Sequence, residues 1–333
     1  MFKDMIKDIV TSYGPAGRET TVSKTIRKYI EPLVDEVYYD ALGNLIAHKK
    51  GTSGKKIMLS AHMDQIGFIV TDIDENGFLR VATVGGVNPH MVLSQGVVFE
   101  NGVKGLVYME TKDPSYASLD ISKLFIDIGA ASKEEAEKLV EIGDMAVYRP
   151  DFVDMGKRIS CAAMDDRIGC AVMIEAFKKA NTEHDIYLVF TVQEEVGCRG
   201  AGVAAYAIEP DFNINFDVTS FGDTPNATFV NISLGKGAAI KVMDSSVIVP
   251  KAAREFLESC ANEVGAKFQR EILRAGGTDT SAVQKSRCGV MASCISIPCR
   301  YVHSQVEMVD MDDVNACVDI TACALSRKEI PGF

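Results

Sequence analysis

No apolar run in this chain of 333 residues is long enough to cross a bilayer, which argues against a membrane-spanning helix. The opening Met1-Phe2-Lys3-Asp4 lacks the pattern of a secretory leader, so the expected compartment is the cytoplasm. No CxxC pair occurs. The nine cysteines are scattered and odd in number, which fits reduced, partly buried thiols rather than a disulfide framework. Positive charge is in deficit, with 35 Lys and Arg against 46 Asp and Glu and a net charge of −11. That balance argues against nucleic acid as a general partner. Neither a repeat nor a low-complexity segment is present. What remains is a globular composition, 47% hydrophobic and 24% charged, enough to build one large or two ordinary domains.

The chain alternates between two textures. Apolar spacing predicts a helix over 2–12, closed by Gly14-Pro15, and a second after Gly17 with Val22, Ile26, Ile30 and Leu33 as its stripe. Strands are expected at 37–39, 44–48 and 57–61. From 68 to 158 short β-like runs are broken by turns such as Val84-Gly85-Gly86, with one helix opening at Ser132, where Glu135 completes a capping-box pattern, and ending near Gly143. After that come expected helices at 166–179, 199–208, 250–264 and 278–285, strands at 185–192, 212–218 and 289–297, and a last helix carrying Val314, Cys317, Val318 and Leu325. Alternating strands and helices predict an α/β fold with a mixed, mostly parallel sheet and helices on both faces. The expected division is a domain built from 1–67 and 159–333, with 68–158 as a β-rich insert.

Acids and imidazoles recur where expected strands end, which is where ligands bind in such sheets. His62 and Asp64 follow the first buried strand. Side chains two apart share a face, so a carboxylate there can orient an imidazole. Asp165-Asp166 stands at a helix entrance, where an acid also serves as an N-cap. Glu194-Glu195 and Asp217 each end a later apolar strand, and His303 comes shortly after another. Each alone is a common surface or core feature. Together, several carboxylates in one crevice repel unless cations lie between them, and two divalent ions about 3.5–4 Å apart would resolve this. Imidazole and carboxylate ligands suit zinc, cobalt or manganese.

The segments SAHMDQIGF, AAMDDRIG, QEEVGCRGA, FDVTSFGDTP, GGTDTSAVQ and RYVHSQVEMV, with YGPAGRE and LGNLIA, closely resemble the tetrahedral aminopeptidases, also known as glutamyl or deblocking aminopeptidases. The resemblance implies a zinc-exopeptidase-like fold whose insert is a PDZ-like dimerisation domain. It implies two divalent ions, zinc or cobalt first and manganese next. His62 and Asp217 would hold one, Glu195 and His303 the other, and Asp165 would bridge them. Glu194 would be the general base and Asp64 would sit behind His62. A cis peptide after Asp165 is also implied. The expected activity is removal of N-terminal residues from short peptides by a metal-bridged hydroxide, in a dimer and then a tetrahedral dodecamer. Arg199, Gly276 and Gly277 are candidates to contact substrate, although each is also readable as loop structure. The rival readings are a deacylase or carboxypeptidase on the same scaffold, a glycoside hydrolase working with two carboxylates and no metal, and a binding module that kept the fold.

Overall fold

A computed structural model of the chain describes residues 2–110, 119–227 and 231–332. The first segment forms α1 (Phe2–Val10), α2 (Thr20–Ile30), β1 (Glu36–Tyr39), β2 (Leu45–Lys49) and β3 (Lys56–His62). α1 buries Met5, Ile6, Ile9 and Val10, and α2 buries Val22, Ile26 and Ile30, the three- and four-residue spacing of one helical face. β3 is buried from Ile57 to His62, because helices or loops cover both its faces.

Six short strands follow: β4 (Gly67–Ile73), β5 (Leu79–Val84), β6 (Gly96–Phe99), β7 (Lys104–Met109), β8 (Leu124–Asp127) and β9 (Met145–Tyr148), with one-turn helices α3 (Pro89–Val92) and α4 (Lys133–Ala136). They close into a barrel in the order β4-β5-β8-β7-β6-β9 around Phe68, Val97, Val107, Leu124 and Ile126. The helix expected from Ser132 to Gly143 is shorter than its pattern suggested. Ser132 caps it and Glu135 reaches back to the Ala131 amide at 2.9 Å. Beyond Ala136 the chain continues in turns that bury Val140 while Leu139 and Ile142 stay exposed.

The chain then supplies β10 (Val153–Asp154), β11 (Arg158–Ser160), α5 (Met164–Lys179), β12 (Asp185–Thr191), α6 (Arg199–Ile208), β13 (Phe212–Thr219), β14 (Ala238–Met243), α7 (Lys251–Val264), β15 (Phe268–Ile272), α8 (Asp279–Gln284), β16 (Met291–Arg300), β17 (Met308–Asp310) and α9 (Met311–Ser326). The large sheet has the order β1-β2-β12-β3-β13-β16-β17-β11-β10, with β14 joined to β16 and β15 to β14. One apolar core packs α1, α2, α5, α7 and α9 against one face, and a second packs α6 and α8 against the other. The expectation of a mostly parallel sheet needs correction. Among the described residues, only the centre, β12-β3-β13-β16, and the β14–β15 pair are parallel, and the remaining pairings in this sheet are antiparallel. β14 and β15 escaped the sequence reading because Lys241 and Glu271 interrupt their apolar runs. The two charges are fully buried against each other at 2.6 Å.

Candidate metal centre

The parallel register assembles the site. Thr191 at the end of β12 pairs with His62 at the end of β3. On the other side Asn215 of β13 pairs with Ser60, which brings Asp217 level with His62. The carboxyl ends of the central strands therefore share one crevice.

His62 is buried. Its Nδ1 lies 3.1 Å from the Asp64 carbonyl, so that nitrogen carries the donating N–H and Nε2 faces Asp165 Oδ1 at 3.1 Å. His303, in the turn after β16, is set the same way by a different backbone. Its Nδ1 lies 3.0 Å from the Gly86 carbonyl, and its Nε2 is 3.2 Å from both Asp165 Oδ2 and Glu195 Oε2. A carbonyl that fixes one ring nitrogen leaves the other free to serve a cation. Asp165 thus sits between two imidazoles with one oxygen toward each. His62, Asp165 and Glu195 offer ligand atoms that all lie within 4.8 Å of one another. Asp217 is buried and lines the same cavity.

The glutamates reach this cluster from a turn. β12 stops at Thr191, Gln193 takes a left-handed backbone with φ of 57°, and Glu194 and Glu195 follow in the loop rather than closing the strand. Asp64 holds that loop. Its fully buried carboxylate accepts the Glu194 amide at 3.0 Å and the Glu195 amide at 3.2 Å. Its side chain was expected to orient His62, but the nearer contact to the ring comes from its backbone carbonyl, and its Oδ1 is 3.6 Å from Nδ1. The peptide bond between Asp165 and Asp166 is cis.

Two contributors escaped sequence reasoning. Glu307 is buried and accepts the Asp165 amide at 2.9 Å and the His303 amide at 2.7 Å, so one carboxylate positions two loops that are distant in sequence. Gly86 lies in the barrel. Its only sequence signal was a Val-Gly-Gly turn. Gly276 and Gly277 line the cavity. Arg199 does not. It is exposed and donates to Gln193 Oε1 at 3.2 Å, which is a loop contact.

The cavity holds about 570 Å³ and is also lined by Cys198, Lys241, Asp244, Leu273 and Thr278. Its electrostatics ask for cations. Burial raises the Asp217 carboxyl well above the usual range, with Asp165 and Asp166 adding to the effect. Burial likewise raises Glu195, and it raises Glu194 to about 8. Burial opposes charge on His303, yet Asp165 and Glu195 outweigh it and lift the ring to about 12. His62 is raised for the same reason, its burial overcome by Asp165 and Asp64. Four carboxylates crowd two imidazoles, and the donors are the nitrogen and oxygen atoms that divalent transition metals take.

An α/β sheet that gathers imidazoles and carboxylates at the carboxyl ends of its parallel strands is the architecture of a metal-dependent hydrolase. Residues 43–320 match the M42 glutamyl aminopeptidase family, and the chain belongs to that family. It is an aminopeptidase, a hydrolase of peptide bonds. The lysyl aminopeptidase of Pyrococcus furiosus is 38% identical over 346 residues, covering 99% of this chain and 98% of the relative. Among solved structures, an aminopeptidase from the archaeon Desulfurococcus kamchatkensis superposes with a TM-score of 0.94 at 36% identity, over 98% of this chain and 94% of its own. The TET1 peptidase of Pyrococcus horikoshii, described as assembling into a tetrahedron or a large octahedral shell, gives 0.86 at 32% identity, over 98% and 99%.

Proposed function

We propose that this aminopeptidase binds two divalent ions, zinc or cobalt in preference to manganese, and uses them to release N-terminal residues from short peptides. His62 and Asp217 would hold one ion, Glu195 and His303 the other, and Asp165 both. The observation that carries this is the pair of imidazoles, each with Nδ1 pinned by a carbonyl and Nε2 aimed at a different oxygen of Asp165. When bound, the ions supply Lewis acidity toward the scissile carbonyl and toward water.

The chain's own residues do the rest. Glu194 lies beside the cluster, with Oε2 3.9 Å from His62 Nε2. It takes the proton of the attacking water and passes it to the departing amine. Asp64, by holding the Glu194 and Glu195 amides, keeps the base and a ligand on adjacent positions of one turn. Glu307 fixes Asp165 to His303 through their amides. Gly276 and Gly277 leave backbone open to the substrate.

We further infer that 1–67 and 159–333 form the catalytic domain and that 68–158 is a separate unit. In this reading the barrel is a PDZ-like dimerisation element. Dimers assemble further into a tetrahedral dodecamer, consistent with the shells described for the Pyrococcus horikoshii relative. A cytoplasmic site of action is supported by nine free cysteines, most of them buried. No helix among the described residues is long and apolar enough to cross a membrane.

The test is Glu194→Gln assayed on peptides with free and with blocked N-termini. The wild type should cleave only the free series. The variant should keep its metal and lose turnover by a factor of about 10²–10⁴. A variant with wild-type rate would remove Glu194 from the mechanism, and cleavage of blocked peptides would favour a deacylase.

A further inference from the structure

We propose that Glu194, Cys198 and Asp279 form an additional metal site, selective for soft divalent ions, whose occupation shuts the enzyme down. It uses none of the five candidate ligands of the main centre. Glu194 and Cys198 come from the turn between β12 and α6, and Asp279 opens α8. One ligand atom from each of the three lies within 4.8 Å of the others. The Cys198 thiol donates to Glu194 Oε1 at 3.1 Å, so the sulfur is already directed at the carboxylate.

Asp279 supplies a second, independent observation that points to a cation. It is 1% exposed. The Thr191 hydroxyl donates to its Oδ2 at 2.5 Å, but Oδ1 has no hydrogen-bond partner among the described residues. A buried carboxylate oxygen without a partner is costly, and a cation beside it removes that cost. In a tetrahedral zinc shell with bonds of about 2.0–2.3 Å, neighbouring ligand atoms lie about 3.3–3.8 Å apart. Glu194 and Cys198 both line the cavity, so an ion has a path from solvent.

The chemistry sets the selectivity. Binding forms a metal–sulfur bond and releases the Cys198 proton to solvent, while Glu194 and Asp279 bind as carboxylates. A thiolate favours zinc and cadmium over manganese or magnesium. A Glu194 carboxylate committed to such an ion cannot shuttle a proton. The inhibition therefore rests on Glu194 being the general base, whereas the site itself does not.

The experiment loads the full-length protein with two equivalents of manganese, removes the excess, and titrates cadmium. Retained manganese, the ultraviolet thiolate-to-cadmium charge-transfer band and peptide hydrolysis are followed together. We expect one further equivalent to bind with the band, manganese to stay, and hydrolysis to fall at least about tenfold. Cys198→Ala and Cys198→Ser, each read against its own rate before cadmium, should lose both band and inhibition. Asp279→Asn should need about tenfold more cadmium. Equal inhibition in wild type and both Cys198 variants, or inhibition that tracks displaced manganese, would overturn the site. A Cys198-dependent band with hydrolysis unaffected would overturn the inhibition, and the base role of Glu194 with it.

Discussion

Arg167 illustrates how much of the site's support is carried by single side chains. It is fully buried and, among the described residues, its hydrogen bonds go to carbonyls. The guanidinium donates to Met63 and Gly14 at 3.0 Å each and to Ser12, tying the end of α1 and its loop to the residue after His62. Burial lowers its pKa to about 10, which still leaves it charged at neutral pH. Arg167→Met should strand these carbonyls and cost more than about 3 kcal/mol. Calorimetry should show a melting temperature lower by at least about 5 °C. A shift within about 1 °C would mean the carbonyls find other partners. The sequence displayed this arginine only as a letter of MDDRIG, because carbonyl partners leave no mark in residue type. His62, Asp165, Glu195 and His303 were legible as candidates only jointly, through their recurrence at the ends of elements and the motifs that carry the family resemblance, since each alone is a common surface or core feature. Glu307 was not. It acts on backbone amides, and nothing in the local pattern separates it from a surface acid.

At the scale of elements, the barrel reaches into the chemistry through one turn. Gly85-Gly86 joins β5 to α3, and the Gly86 carbonyl sets the His303 ring. A Cβ at Gly86 would stand 2.7 Å from His303 Nδ1, far inside contact distance. Gly86→Ala should therefore displace the ring. We expect kcat to fall at least about tenfold and one ion to bind more weakly, with the far-ultraviolet spectrum unchanged. Normal kcat and metal affinity would show that His303 tolerates the shift. From sequence the turn read as a break between strands, because contact between two separate cores has no periodic signal. Long buried elements such as β3, β12, β13 and α5 were legible from their apolar runs. β14 and β15 were not, since a paired Lys241 and Glu271 look like exposed positions until each is seen to bury the other. Asp310 caps α9 by accepting the Asp312 amide at 3.0 Å, and Asp310→Ala should cost about 1 kcal/mol in denaturant unfolding. No loss would mean that water caps the helix equally well.

For the whole molecule, the parallel centre of a mixed sheet explains why residues so far apart in the chain meet. The parallel strands deliver His62, Asp217, the Glu194-Glu195 loop and the His303 turn to the same edge. The crowding of buried carboxylates there makes the account one of charge balance, and that is most directly tested by counting ions. The protein is loaded with zinc, dialysed against metal-free buffer and measured by elemental analysis, as wild type, Glu194→Gln and Asp165→Asn. Two ions per chain are expected in the wild type and in Glu194→Gln, with occupancy lost at both positions in Asp165→Asn. A wild type that retains no metal, or an Asp165→Asn variant that still holds two ions, would contradict the shared centre.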